Sequence, residues 1–232
     1  MPELPEVEVL RRSLEPLLLG ERIAGVRVRN PALREPVDRA RLGRLVRGRR
    51  VVGLRRRAKY LLVDLEGGST LVVHLGMSGR LTLVGGEEPV QAHEHVAFRL
   101  DGGRRLAFRD ARRFGLVFAL PTARLAGDRH FATLGLEPLG DELSGAALAG
   151  LARRRRGPVK AFLMDGRLVV GVGNIYASEA LHRAQVHPRR SVARVSARTW
   201  GRLADAVRAT LRQAIAEGGT TLNDFADGQG RA

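Results

Sequence analysis

The chain opens Met1-Pro2-Glu3-Leu4-Pro5-Glu6. Once Met1 is removed, Pro2 carries a secondary amine with two carboxylates close behind it. An α-amino group titrates near 7.7–8.0, so about a tenth or more is neutral and nucleophilic at pH 7. Attack by such an amine on a sugar C1′ gives an iminium ion, an electron sink that makes the neighbouring C2′ proton acidic. Glu3 and Glu6 are candidates for acid, base or stabiliser of an oxocarbenium-like state. The same residues also read as an acid-capped helix start with no chemistry, because Pro5 suits a first turn and acids suit the positive end of the helix dipole.

Other segments carry groups that bind anions or fill gaps. Gly171-Val172-Gly173-Asn174-Ile175 reads as a glycine-rich approach to a helix with Asn174 as its N-cap. Free N–H groups at such a start bind phosphate, and Lys160 lies one short helix upstream. Met77, in His74-Leu75-Gly76-Met77-Ser78-Gly79, and Phe114, beside Arg112 and Arg113, sit in turns. Apolar side chains beside arginines suit wedges into a base stack, although each taken singly also fits a core position. Gly218-Gly219-Thr220-Thr221 follows the last helix as a hydroxyl-rich loop. It is either a lid over an extruded base or a plain helix exit.

Composition narrows the partner. The 232 residues carry a formal charge of +16, which attracts polyanions, with nucleic acid first and an acidic membrane surface second. Of the 40 basic residues only Lys59 and Lys160 are lysines, so the other 38 are arginines. Lysine is a compact point charge and arginine a planar fork, so a surviving lysine marks a place where the fork does not serve. No apolar run approaches the roughly 20 residues that span a bilayer, and no secretory signal is visible. The chain has no cysteine, which excludes disulfides and thiolate metal sites within it. A soluble, cytoplasmic, monomeric protein is expected.

These groups need elements to hold them. The spacing of Val7, Leu10, Leu14 and Leu17 predicts a helix over 2–19, with Gly20 as its stop. Eight short Val- and Leu-rich runs between residues 23 and 119, with turns at Gly67-Gly68 and Gly102-Gly103, predict an antiparallel sandwich or barrel. A helix over 38–45 interrupts them. Beyond Pro121 the pattern predicts helices over 142–154, 158–164, 175–184 and 197–217. The fold class is therefore α+β. An N-terminal β-sandwich domain with a leading helix (1–125) is followed by an all-α domain (126–218) and a terminal segment (219–232).

Taken together, the motifs resemble those of the formamidopyrimidine-DNA glycosylase family, also called MutM. Six match in order: Pro2 to Glu8, Arg57-Ala58-Lys59-Tyr60-Leu61, His74 to Ser78, Asp110-Ala111-Arg112-Arg113-Phe114-Gly115, Gly171 to Leu181 and Gly218 to Leu222. The resemblance implies a helix–two-turn–helix in the second domain and damaged double-stranded DNA in a positive cleft. The implied reaction is excision of oxidised purines, 8-oxoguanine and formamidopyrimidines, followed by β- and δ-elimination. It implies Pro2 as Schiff-base nucleophile, with Glu3 and Glu6 beside it and Lys59 at the flipped nucleotide. His74, Lys160 and Asn174 would contact phosphates. Met77, Arg112 and Phe114 would fill the vacated stack, and Gly219, Thr220 and Thr221 would form the lesion loop. The family also implies a C-terminal four-cysteine zinc finger. This chain supplies no such ligands, so no zinc is expected here and a looser grip on DNA is. Two other readings stay open: an endonuclease VIII-like glycosylase acting on oxidised pyrimidines, against which Leu4 and Lys59 speak, and a DNA-binding module without catalysis.

Overall fold

The computed structural model of the protein describes residues 2–219. Within them the chain forms two compact units, one of Pro2 and residues 6–128, the other of residues 129–219 together with Glu3–Pro5.

The first unit is a β-sandwich with a leading helix. Helix α1 (Leu4–Leu18) buries Val7, Leu10, Leu14 and Leu18 to 1% exposure or less, with Leu18 taking the last core position and the expected Leu17 only half-buried. It stops before Gly20, whose φ of +84° suits a residue without Cβ. Eight strands follow: β1 (Ile23–Val28), β2 (Val51–Arg57), β3 (Tyr60–Leu65), β4 (Ser69–His74), β5 (Gly79–Val84), β6 (Glu94–Leu100), β7 (Arg105–Asp110) and β8 (Leu116–Pro121). Helix α2 (Arg39–Val46) lies between β1 and β2, capped by the Asp38 carboxylate, which accepts from Arg41 N–H. All pairing is antiparallel, in two four-stranded sheets of order β1-β6-β7-β5 and β2-β3-β4-β8, so the sandwich alternative holds. One core joins them, with Leu61, Leu71, Leu81, Phe98 and Phe108 at 1% exposure or less. Each such side chain contributes about 1.5–3 kcal/mol by leaving water.

Register fixes where the loops emerge. Tyr60, His74 and Leu116 form one row across the second sheet, and Gly79 pairs with Asp110 in the first. The 75–78 and 111–115 loops therefore cross between the sheets at the end where the β2–β3 hairpin turns at Ala58-Lys59.

The second unit is helical: α3 (Gly145–Ala152), α4 (Val159–Met164), α5 (Asn174–Arg183) and α6 (Ala197–Ala216). Helix α6 starts at Ser196, whose hydroxyl accepts from Thr199 N–H, and buries Trp200, Leu203, Val207 and Leu211. The Trp200 ring packs on Phe162 of α4 at 5.2 Å. Between α4 and α5 the chain makes successive turns over 165–173, giving helix–turns–helix.

Candidate active site

Helix α5 does not begin as its sequence suggests. Asn174 is its first helical residue and is exposed, while Gly173 occupies the cap position and has no side chain to cap with. The carboxylate of Glu3 does that work. It accepts from Gly173 N–H at 2.6 Å and from Ile175 N–H at 3.0 Å. Thus an internal carboxylate takes N–H groups that the sequence reading assigned to phosphate. The physical reason is proximity: Leu4 N–H donates to Gly171 O at 3.1 Å, which brings the preceding residue over the helix start. A carboxylate there also complements the positive end of the helix. Glu3 is 2% exposed and Glu6 0%, and Pro2 is buried beside them in sequence. A Cβ at Gly173 would lie under 3.0 Å from three carboxyl atoms of Glu3, so only glycine leaves room for this contact.

Lys59 sits half-exposed in the two-residue β2–β3 turn, where Arg57 pairs with Tyr60. Ala58 takes φ +53°, a region that favours glycine. Arg56, which the sequence reading did not single out, braces this turn. It donates to Ala58 O at 3.0 Å and pairs with Glu8 of α1 at 3.4 Å, with both side chains largely buried (9% and 12% exposed). Burial pushes the Glu8 pKa up. Hydrogen bonds from Arg11 and Arg12, and the charges of Arg11 and Arg56, outweigh it and hold Glu8 below the ordinary carboxylate value. One carboxylate therefore ties the hairpin carrying Lys59 to the helix that begins two residues after Pro2.

His74 ends β4 half-buried. Its Nδ1 accepts from Gly76 N–H at 3.0 Å and its ring packs on Tyr60 at 4.8 Å. Accepting at Nδ1 leaves the neutral ring's proton on Nε2, a donor of the kind a phosphate takes.

The Met77 and Phe114 loops are fastened together. Asp110, fully buried, accepts from Ser78 Oγ at 2.6 Å and from Gly115 N–H at 2.7 Å, and Ser78 Oγ accepts from Arg112 N–H at 3.1 Å. Gly76 lies so close to Phe114 that a Cβ would fall under 3.0 Å from its carbonyl group, and its φ is +66°. Phe114 is 45% exposed with the Arg112 guanidinium 4.9 Å above its ring. Exposed Phe114 departs from the core position that a lone aromatic ordinarily takes. Met77, whose place in a glycine-flanked turn suggests exposure, is half-buried, with the tight turn that joins Leu75 O to Gly79 N–H beneath it.

In the second unit Lys160 is the second residue of α4 and half-buried. Gly219, at φ +93°, donates to Ala214 O at 2.7 Å just past α6. Thr220 and Thr221 lie outside the described residues. No cluster of His, Asp or Glu among the described residues could hold a metal ion, and the chain has no thiolate for a zinc finger. No helix of the described residues is long and apolar enough to cross a membrane.

Residues 1–117 match the formamidopyrimidine-DNA glycosylase N-terminal domain and residues 134–226 the formamidopyrimidine-DNA glycosylase H2TH domain. A formamidopyrimidine-DNA glycosylase of Methylobacterium sp. is 47% identical over 250 residues, covering 99% of this chain and 84% of the relative. One of Xanthomonas campestris pv. campestris is 50% identical over 225 residues, covering 97% and 82%. The crystal structure of the MutM (Fpg) protein from Thermus thermophilus superposes with a TM-score of 0.87 at 39% identity, over 98% of this chain and 82% of that one. A mutant Lactococcus lactis Fpg in complex with a Fapy-dG containing DNA gives 0.89 at 28% identity, over 95% and 81%.

Proposed function

The chain belongs to the formamidopyrimidine-DNA glycosylase family, and we propose that this DNA glycosylase of base excision repair removes oxidised purines from duplex DNA through a Schiff base at Pro2. The observation that carries the reading is the placement of Glu3. Its carboxylate, next in sequence to the proposed nucleophile, is locked onto the start of α5 by two N–H donors.

The reaction follows from these groups. A base inside a duplex shields C1′, so the nucleotide must be flipped out, at a cost of a few kcal/mol. Phe114, Met77 and Arg112 fill the gap, and Arg112 donates to the orphaned cytosine. Lys59, His74, Lys160 and Asn174 hold the flanking phosphates. The neutral Pro2 amine attacks C1′; the N–C1′ bond forms as the glycosidic bond breaks, and the damaged base leaves with a proton. The amine proton then passes to O4′ as the C1′–O4′ bond breaks and the sugar ring opens, leaving a cationic iminium, whose C2′ proton is then removed. The electron pair expels the 3′ phosphate, and a second elimination expels the 5′ phosphate. Glu3, held rigidly, serves as the acid/base partner at the deoxyribose, and Glu6 keeps the charge and water of the pocket in place. Pro2 reacts only after Met1 has been removed. The protein acts as a monomer in the bacterial cytoplasm.

Relatives named for formamidopyrimidine do not favour the oxidised-pyrimidine alternative. Excision measured side by side on 8-oxoguanine and thymine glycol duplexes tests the substrate class. Faster release of 8-oxoguanine is expected, and a clear preference for thymine glycol would overturn the assignment.

A further inference from the structure

Between α3 and α4 the chain runs through four consecutive arginines, Arg153 to Arg156, all exposed. They rim a groove of about 600 Å³ whose floor includes Val192 and the buried Trp200. Only Arg155 has an ion-pair partner among the described residues, Asp165 at 4.0 Å, and Asp165 is more closely held by Arg167 at 3.0 Å. The side chains of Arg153, Arg154 and Arg156 have none.

The backbone adds an independent observation. Arg153 has φ −54° and ψ 133°, Arg154 has φ +61°, and Arg155 N–H donates back to Ala152 O at 3.0 Å. That is a type II turn, whose third position calls for glycine. An arginine stands there at a cost in conformational strain. The turn itself gains nothing polar from that side chain, which makes no hydrogen bond or ion pair within the described residues. What it gains is a fourth guanidinium fanned outward from a two-residue bend. Four residues further on is Lys160, no more than about 14 Å from Arg156 along even a fully extended chain.

We propose that Arg153–Arg156 forms a second phosphate-gripping contact on duplex DNA, extending along the backbone from the phosphate held by Lys160; this rests on the DNA-binding reading above. Planar guanidinium forks match phosphate oxygens in pairs, and a polyanion of regular spacing is the partner to which four adjacent forks are complementary. The contact carries no sequence information, as lesion search along undamaged DNA requires.

The test is fluorescence anisotropy of a labelled undamaged duplex and of an 8-oxoguanine duplex between 50 and 200 mM KCl. Wild type is compared with Arg154→Gly and with Arg153, Arg155 and Arg156 replaced by serine together with Arg154→Gly. Each phosphate contact contributes about 0.9 to the slope of log affinity against log salt, so each one lost weakens the salt response over that range by about 3.5-fold. The fourfold variant is expected to lose at least two such contacts, and Arg154→Gly to lose one while melting no lower than wild type, since glycine relieves the turn. Equal slopes and affinities for wild type and both variants overturn the proposal, as does an Arg154→Gly protein that melts lower with its DNA affinity unchanged. A wild-type protein that binds no duplex at all would instead overturn the function on which the proposal rests.

Discussion

Replacing Gly173 with alanine tests the Glu3 arrangement without touching a titratable group. The φ of Gly173 is −117°, an extended conformation open to any L-residue, so the backbone tolerates the change. The side chain does not: the new methyl would lie under 3.0 Å from the Glu3 carboxyl group. Glu3 is 2% exposed and has little space to retreat, so its bonds to Gly173 and Ile175, at 2.6 and 3.0 Å, must lengthen or break. Hydrogen bonds to a charged group are worth about 1.5–3 kcal/mol each, which sets a loss of roughly 2–4 kcal/mol in stability after partial relaxation. A misplacement of about 1 Å at a reacting centre costs on the order of 100-fold in rate. Single-turnover excision of 8-oxoguanine is therefore expected to fall by about that factor or more. Gly201→Ala in α6 is the control: its Cβ meets nothing within 4 Å, and a helical Gly→Ala change stabilises by up to about 1 kcal/mol. If Gly173→Ala excises within threefold of wild type while remaining folded, Glu3 is not acting from the position described.

Two further substitutions probe the supports. Asp110→Asn weakens the acceptor that joins the Met77 and Phe114 loops; a loss of about 1–3 kcal/mol by thermal melting is expected, with slower base flipping by 2-aminopurine fluorescence. Unchanged flipping would show that the loops hold their places without it. Glu8→Gln removes the charge facing Arg11, Arg12 and Arg56 and should cost about 1 kcal/mol at neutral pH. Because the folded-state pKa of Glu8 lies below its ordinary 4.5, this contribution is fully present above pH 4.5 and is lost as pH falls through the depressed value. The stability gap between wild type and variant should thus be flat from pH 5.5 to 7 and close below 4.5; a gap that widens on acidification would refute the sign.

The sequence was most informative where structure is local. Short Val- and Leu-rich runs between turn residues located the eight described strands, and Ile23–Val28 and Tyr60–Leu65 matched to the residue, because an apolar run of that length bounded by turn residues marks a strand packed on a core. The apolar stripe of α6 was equally legible. What could not be read were pairings across long separations. Glu3 and Gly173 are 170 residues apart, and nothing in either segment announces the other. The local rule that Asn caps helices pointed to Asn174 and was overridden by a carboxylate from a distant segment. Arg56 stayed hidden for a different reason. Among 38 arginines its type carries no signal; only burial against Glu8 separates it from its neighbours. Asp110 and Ser78 lay inside recognisable motifs, yet their bond shows only once the two sheets set their loops side by side.

The central claim is that Pro2 carries the covalent step. Borohydride reduction during reaction with an 8-oxoguanine duplex traps any iminium as a stable crosslink. The other candidate amines are those of Lys59 and Lys160, since the chain has no further lysine. With Met1 removed, peptide mapping of the trapped complex should place the DNA remnant on Pro2, and the adduct should vanish when Met1 is retained and fall sharply in Pro2→Gly. An adduct on either lysine, or none at saturating protein, would contradict the account.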